Sequence, residues 1–221
     1  MNPEVAFITP SQKRWVLHLI FVRIPKNAST SIYEHLSHYN LVKKYESNFK
    51  ANIKNPLYKN FFDPTHAKPN EIQKILPVNA SNYFSFAVVR NPWDRFVSMY
   101  SFSIQHELWK LFGFKKEPSF EEFCDFCSYK KQENDPYFFP IQNQIEWTAG
   151  SFEVNKIIKF ENLQKEFSDM IDEIGAVHIS KKLPHKNSSN HKAYQLFYNE
   201  NSKQLVSELY KQDIEKFNYT F

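Results

Sequence analysis

The sequence predicts an α/β fold, a single domain spanning 1–221 with a central, mostly parallel sheet flanked by helices. Three observations lead there. Apolar runs rich in β-branched and aromatic residues recur at Trp15–Ile24, Tyr83–Val89 and Val154–Phe160. Segments with helical spacing separate and follow them. No Pro/Gly/Ser-rich linker divides the 221 residues, a length that suits one sizeable core. The hydrophobic share of 42% and charged share of 24% exclude a disordered or fibrous chain, and with an aromatic share of 17% many rings must be core.

Taken in order, Trp15–Ile24 reads as a buried first strand stopped by Pro25. The polar loop Lys26-Asn27-Ala28-Ser29-Thr30-Ser31 follows, and then Ile32, Leu36 and Tyr39 at helical spacing. Lys43 to Pro64 shows no clean period and reads as an irregular excursion, either a lid facing an acceptor or a solvated insertion. A helix is expected from Pro69 to Leu76 and a second buried strand from Tyr83 to Val89. Asn91 is a good N-cap, Pro92 a good first helical residue and Asp94 a first-turn carboxylate, so a helix starts there. Phe120–Phe126 reads as helix and Val154–Phe160 as the third strand; Leu163, Phe167, Met170, Ile171 and Ile174 outline an amphipathic helix closing near Gly175. One last helix carries Leu205, Leu209, Tyr210, Ile214 and Phe217.

A formal net charge of +4 suits a protein that handles an anionic ligand and falls short of a dedicated nucleic-acid binder. No stretch has the length and apolarity of a membrane helix, and Met1 to Lys13 lacks the regions of a signal peptide, so a cytoplasmic location and no transmembrane segment are expected. The Asn-X-Ser/Thr sequons at Asn27, Asn79, Asn187 and Asn218 are then chance occurrences. Cys124 and Cys127 form a lone Cys-x-x-Cys without a second pair or a suitable His set, so no metal is expected. They read as two reduced cysteines on one side of the helix bearing Phe120, Phe123 and Phe126.

Two constellations carry chemistry. A turn feeding a helix presents unpaired backbone N–H groups and the positive end of the helix dipole, which together bind anions. Lys26 adds a full charge there, and Ser29, Thr30 and Ser31 can donate hydroxyls to phosphate oxygens. The second is Arg90-Asn91-Pro92-Trp93-Asp94-Arg95-Phe96-Val97-Ser98-Met99-Tyr100. Arg90 lies at the carboxyl end of a buried strand, where open α/β sheets bind ligands, and its fork suits a phosphate. Ser98 stands seven residues beyond the Asn91 cap, about two helical turns, so it returns to nearly the same face. Asp94 and Arg95 read as surface charges or a helix-terminal ion pair.

The stretch Ile24-Pro25-Lys26-Asn27-Ala28-Ser29-Thr30-Ser31 resembles the 5'-phosphosulfate loop of sulfotransferases that use 3'-phosphoadenosine-5'-phosphosulfate (PAPS), and Val88 to Tyr100 resembles their 3'-phosphate motif. Thr65-His66-Ala67, Lys159 to Leu163, Leu183 to Ser189 and Asp213 to Tyr219 are similar to the carbohydrate-type branch, so the resemblance spans nearly the whole chain. It implies a P-loop-like sheet, PAPS as donor with PAP (adenosine 3',5'-bisphosphate) as product, and a saccharide hydroxyl as acceptor. By the same resemblance Lys26 contacts the 5'-phosphate and the oxygen bridging to sulfur, and Asn27 and Ala28 with Ser29, Thr30 and Ser31 form the loop around that phosphate. Arg90 and Ser98 would bind the 3'-phosphate, and Lys186 and Ser188 belong to a late loop over the nucleotide. The loop departs from the commonest pattern in having no glycine, so its geometry must be reached with ordinary residues.

Sulfuryl transfer also needs a base for the acceptor hydroxyl, a role that suits an imidazole. His66 is preferred because related enzymes place a His near the acceptor in that segment; His185, His191 and Glu34 are the alternatives. Two rival functions stand beside the transferase. A P-loop kinase or NTPase needs Gly-x-x-x-x-Gly-Lys-Ser/Thr, and the only glycines are Gly113, Gly150 and Gly175. The other is a binding protein without turnover, either a module that retains the nucleotide pocket or a basic RNA-binding domain.

Overall fold

The computed structural model describes residues 6–7, 19–38, 66–75, 79, 83–133, 141–184 and 193–221. The Lys43 to Pro64 excursion and Lys186, Ser188, His185 and His191 lie outside the described residues. The chain divides into two compact units, one drawn from Met1–Lys54, Phe62–Val89 and Glu146–Ser188, the other from Asn55–Phe61, Arg90–Ile145 and Ser189–Phe221.

The first unit holds the sheet. Its strands are β1 (Ala6–Phe7), β2 (Leu19–Val22), β3 (Phe84–Val89) and β4 (Lys156–Lys159), in spatial order β1-β2-β3-β4. β1 runs antiparallel to β2, whereas β2, β3 and β4 are parallel, in register Phe21↔Phe86 and Val88↔Ile158. The helices of this unit are α1 (Ser29–Ser37), α2 (Pro69–Ile75) and α5 (Leu163–Glu173). Alternate strand residues Leu19, Phe21, Phe86, Val88 and Ile158 form one core with Ile32 and Leu36 of α1 and Phe167, Met170 and Ile171 of α5. Phe21 and Phe86 stack at 4.6 Å between ring centroids. Because the strands are parallel and Val22 pairs with Ala87, the segment after β2 emerges beside the carboxyl end of β3. α5 closes at Gly175, whose φ of 65° is the left-handed conformation of a helix stop.

The second unit is helical: α3 (Pro92–Gln105), α4 (Phe120–Gln132), α6 (Glu200–Leu209) and α7 (Lys211–Phe217). Asn91 caps α3 by accepting from the Trp93 N–H, with Pro92 in the first turn. Ser119 and Glu122 form a capping box at the start of α4, as Asn199 and Ser202 do at α6. Its core is aromatic: the fully buried Phe96 ring lies 5.7 Å from Phe120, 5.5 Å from Phe123 and 6.2 Å from Tyr210. Each fully buried ring of this kind contributes about 2 kcal/mol. Cys124 and Cys127 are free and buried on α4.

Two expectations are corrected here. The last helix is two helices, broken at Tyr210, whose backbone (φ −114°, ψ 25°) leaves the helical region. The break lets the whole Tyr210 side chain bury against Phe96 and turns Asp213 inward to zero exposure. Arg95 is not a surface charge. It is fully buried, with Nη1 donating to the Gln142 carbonyl at 3.0 Å and its guanidinium over the Tyr210 ring at 5.5 Å.

Candidate active site

In the sheet unit the site is built where β2 ends. β2 ends at Val22, and beyond Pro25 the chain turns through Lys26 (φ 68°) and Ala28 (φ 57°), both left-handed, before α1 begins at Ser29. Non-glycine residues hold this conformation at a cost of about 1 kcal/mol each, which the surroundings must supply. Asn27 between them does so: it is 1% exposed, and its Nδ2 donates to the Val88 carbonyl at 2.7 Å, pinning the turn to the end of β3. Its side chain is therefore a strut that shapes the turn.

The turn delivers α1 with an unusual beginning. Ala28 provides no side-chain cap, and the first turn carries no acidic residue. α4 by contrast begins with a complete capping box and two first-turn glutamates. An N-terminus with no side-chain oxygen of its own at the cap is suited to an external anion. Lys26 is half-buried; Ser29 and Ser31 are buried and Thr30 is exposed.

His66 is brought to the end of the strand that leads into this turn. Its Nδ1 lies 2.8 Å from the Arg23 carbonyl, three residues before Lys26. A carbonyl partner requires Nδ1 to carry the hydrogen, so in the neutral ring the lone pair is on Nε2. The backbone is held as well, since the Trp147 indole donates to the His66 carbonyl at 2.8 Å. Lys68 lies over that indole at 4.9 Å and pairs with Glu146. Sequence reasoning did not find Arg23, which is buried at the strand end with its guanidinium 4.8 Å from the Tyr33 ring centroid. An arginine terminating an apolar run was the available signal.

In the helical unit, Arg90 and Ser98 flank the start of α3 and are 5% and 8% exposed. Asp94 accepts from Arg90 Nε at 2.7 Å, one turn along. That bond takes the inner nitrogen of the fork and fixes the plane of the outer two. Gln144, which no motif marked, brackets the Arg90 backbone: its Oε1 accepts from the Arg90 N–H and its Nε2 donates to the Arg90 carbonyl, each at 2.9 Å. The backbone N–H groups of Gln144 and Ile145 donate in turn to the two oxygens of buried Asp213, at 2.7 and 2.9 Å. Burial pushes the Asp213 carboxyl up from its ordinary value, opposed by the Arg95 charge and by those backbone donors.

A strand–turn–helix at the carboxyl edge of a parallel sheet, with a lysine in the turn, places the chain in the α/β class. A model of the sulfotransferase family matches residues 16–220, and the chain belongs to that family. It is a transferase of the sulfuryl-moving class. No curated protein and no solved structure matches the chain. Among the described residues no helix is long and apolar enough to cross a membrane.

Proposed function

We propose that residues 1–221 form one sulfotransferase domain that moves a sulfuryl group from PAPS to a hydroxyl of a saccharide, in the cytoplasm. The observation that carries this reading is the Lys26 turn, which feeds a helix start with no side-chain cap and follows by three residues the Arg23 carbonyl that holds the His66 imidazole. Family membership supports the sulfuryl chemistry. The resemblance of two phosphate motifs supports the donor, and that of the carbohydrate-type segments supports the acceptor class.

In this reading Lys26 and the loop Asn27, Ala28, Ser29, Thr30 and Ser31 bind the 5'-phosphate end of the donor, with the first backbone N–H groups of α1 as further donors. Arg90 and Ser98 bind the 3'-phosphate, and Lys186 and Ser188 close on the nucleotide. His66 Nε2 takes the proton of the acceptor hydroxyl as its oxygen bonds to sulfur. The bond from sulfur to the bridging oxygen breaks, and Lys26 neutralises the charge that collects on that oxygen, which leaves on PAP. The protein's work is alignment and charge compensation, as in phosphoryl transfer.

Calorimetric titration with PAP and ADP, together with transfer of radiolabel from PAPS to a panel of saccharides, phenols and small alcohols, tests this reading. PAP is expected to bind more tightly than ADP, and label to pass to a saccharide. Lys26→Ala should lower turnover by about a hundredfold or more, and His66→Ala similarly with PAP affinity retained. Preference for ADP would overturn the assignment. PAP binding with neither label transfer nor PAP release would leave a nucleotide-binding module.

A further inference from the structure

We infer that Gln144 is a positioning residue for the 3'-phosphate contact of Arg90, an assignment that rests on the reading of Arg90 given above. β3 ends at Val89, so Arg90 is the first residue whose backbone has left the strand ladder. The Gln144 amide, itself fully buried, takes over the ladder's work by pairing with both the N–H and the carbonyl of Arg90. Its own backbone is fixed in turn by the carboxylate of Asp213. At the far end of the side chain Asp94 holds Nε. The arginine is thus gripped at both ends, and what it presents beyond Nε is a guanidinium of set height and plane.

A residue with only a packing role at this place would be better served by an apolar side chain, because a fully desolvated amide is costly unless every bond is made. The amide oxygen and the amide nitrogen of Gln144 each bond to the Arg90 backbone. A bidentate arginine–phosphate contact depends on the orientation of the fork, and displacement of about 1 Å can cost a hundredfold in function. Gln144 therefore acts on the donor through Arg90 without touching it.

The test compares the dissociation constants of PAP and 5'-AMP, two nucleotides that differ only in the 3'-phosphate, in the full chain and in Gln144→Met. Methionine keeps length and volume and removes both hydrogen bonds. The expected result is a fall of about tenfold or more in the preference for PAP over 5'-AMP, with 5'-AMP affinity and the cooperative thermal transition retained. An unchanged preference in folded Gln144→Met overturns the inference, as does an equal loss of affinity for both nucleotides, the mark of a purely structural role. Should Gln144→Met not fold, Gln144→Glu keeps the acceptor for the Arg90 N–H, sets a carboxylate against the Arg90 carbonyl and carries the same readout. No preference for PAP in the unsubstituted chain would instead sink the reading of Arg90 itself.

Discussion

Of the residues in the candidate site, Ala28 and Lys26 hold left-handed backbone without being glycine, and Ala28 is the simpler to test. An alanine at φ 57° and ψ 18° sits in a conformation that glycine adopts without penalty. Ala28→Gly should therefore raise unfolding free energy by about 0.5–1 kcal/mol, after the greater freedom of glycine in the unfolded chain is set against the relieved strain. Urea denaturation of the two proteins checks the sign. A value unchanged or lowered would mean that the partly buried methyl, which packs against the sheet core, outweighs the backbone term. The loop was legible in the sequence because its signals are local: Pro25 ending an apolar run, a lysine next to it, and three hydroxyls opening a helix. Gln144 and Trp147 were not, because their partners Arg90 and His66 lie 54 and 81 positions away. Arg95 was misplaced for a related reason. Its charge suggested a surface, and only the fold supplies the Gln142 carbonyl, the Tyr210 ring and the neighbouring Asp213 that permit burial.

Elements follow the same division between local and distant causes. The start of α3 was readable from Asn91, Pro92 and Asp94, and that of α5 to Gly175 from a clean apolar stripe. The break between α6 and α7 was not, since Leu205, Leu209, Tyr210, Ile214 and Phe217 continue the helical spacing straight through it. α4 yields a pH prediction. Burial pushes the Cys124 and Cys127 thiols above their ordinary 9.0, and the Tyr198 and Tyr210 phenols above their ordinary 10.0. The unfolded chain loses these protons first, so at alkaline pH the folded state binds more of them. Stability from these groups is complete below the ordinary thiol value and declines as pH rises past it toward the raised folded values. The urea midpoint should thus fall between pH 8 and pH 11, and less steeply in the Cys124→Ala, Cys127→Ala double variant. A thiol reagent at pH 8 should label neither cysteine in the native protein and both in guanidinium; rapid native labelling would contradict their burial.

For the whole molecule, the family match over residues 16–220 and the parallel sheet agree with the α/β class expected from composition and pattern. The distribution of the chemistry is less expected. Sites that the sequence presents as two short motifs draw on segments from 23 to 213, in two units that each bury their own core. Loss of a distant residue can therefore reach the chemistry. The last residues of the helical unit illustrate this: the Asn91 amide donates to the Thr220 carbonyl at 2.9 Å, and the Phe221 ring stands edge-on to Trp93 at 5.5 Å. Both partners lie within three residues of Arg90 in the chain. Replacing Phe221 with alanine would remove the ring that Trp93 leans on and loosen the first turn of α3, while the Lys26 turn, in the other unit, would keep its own bond from Asn27 to Val88.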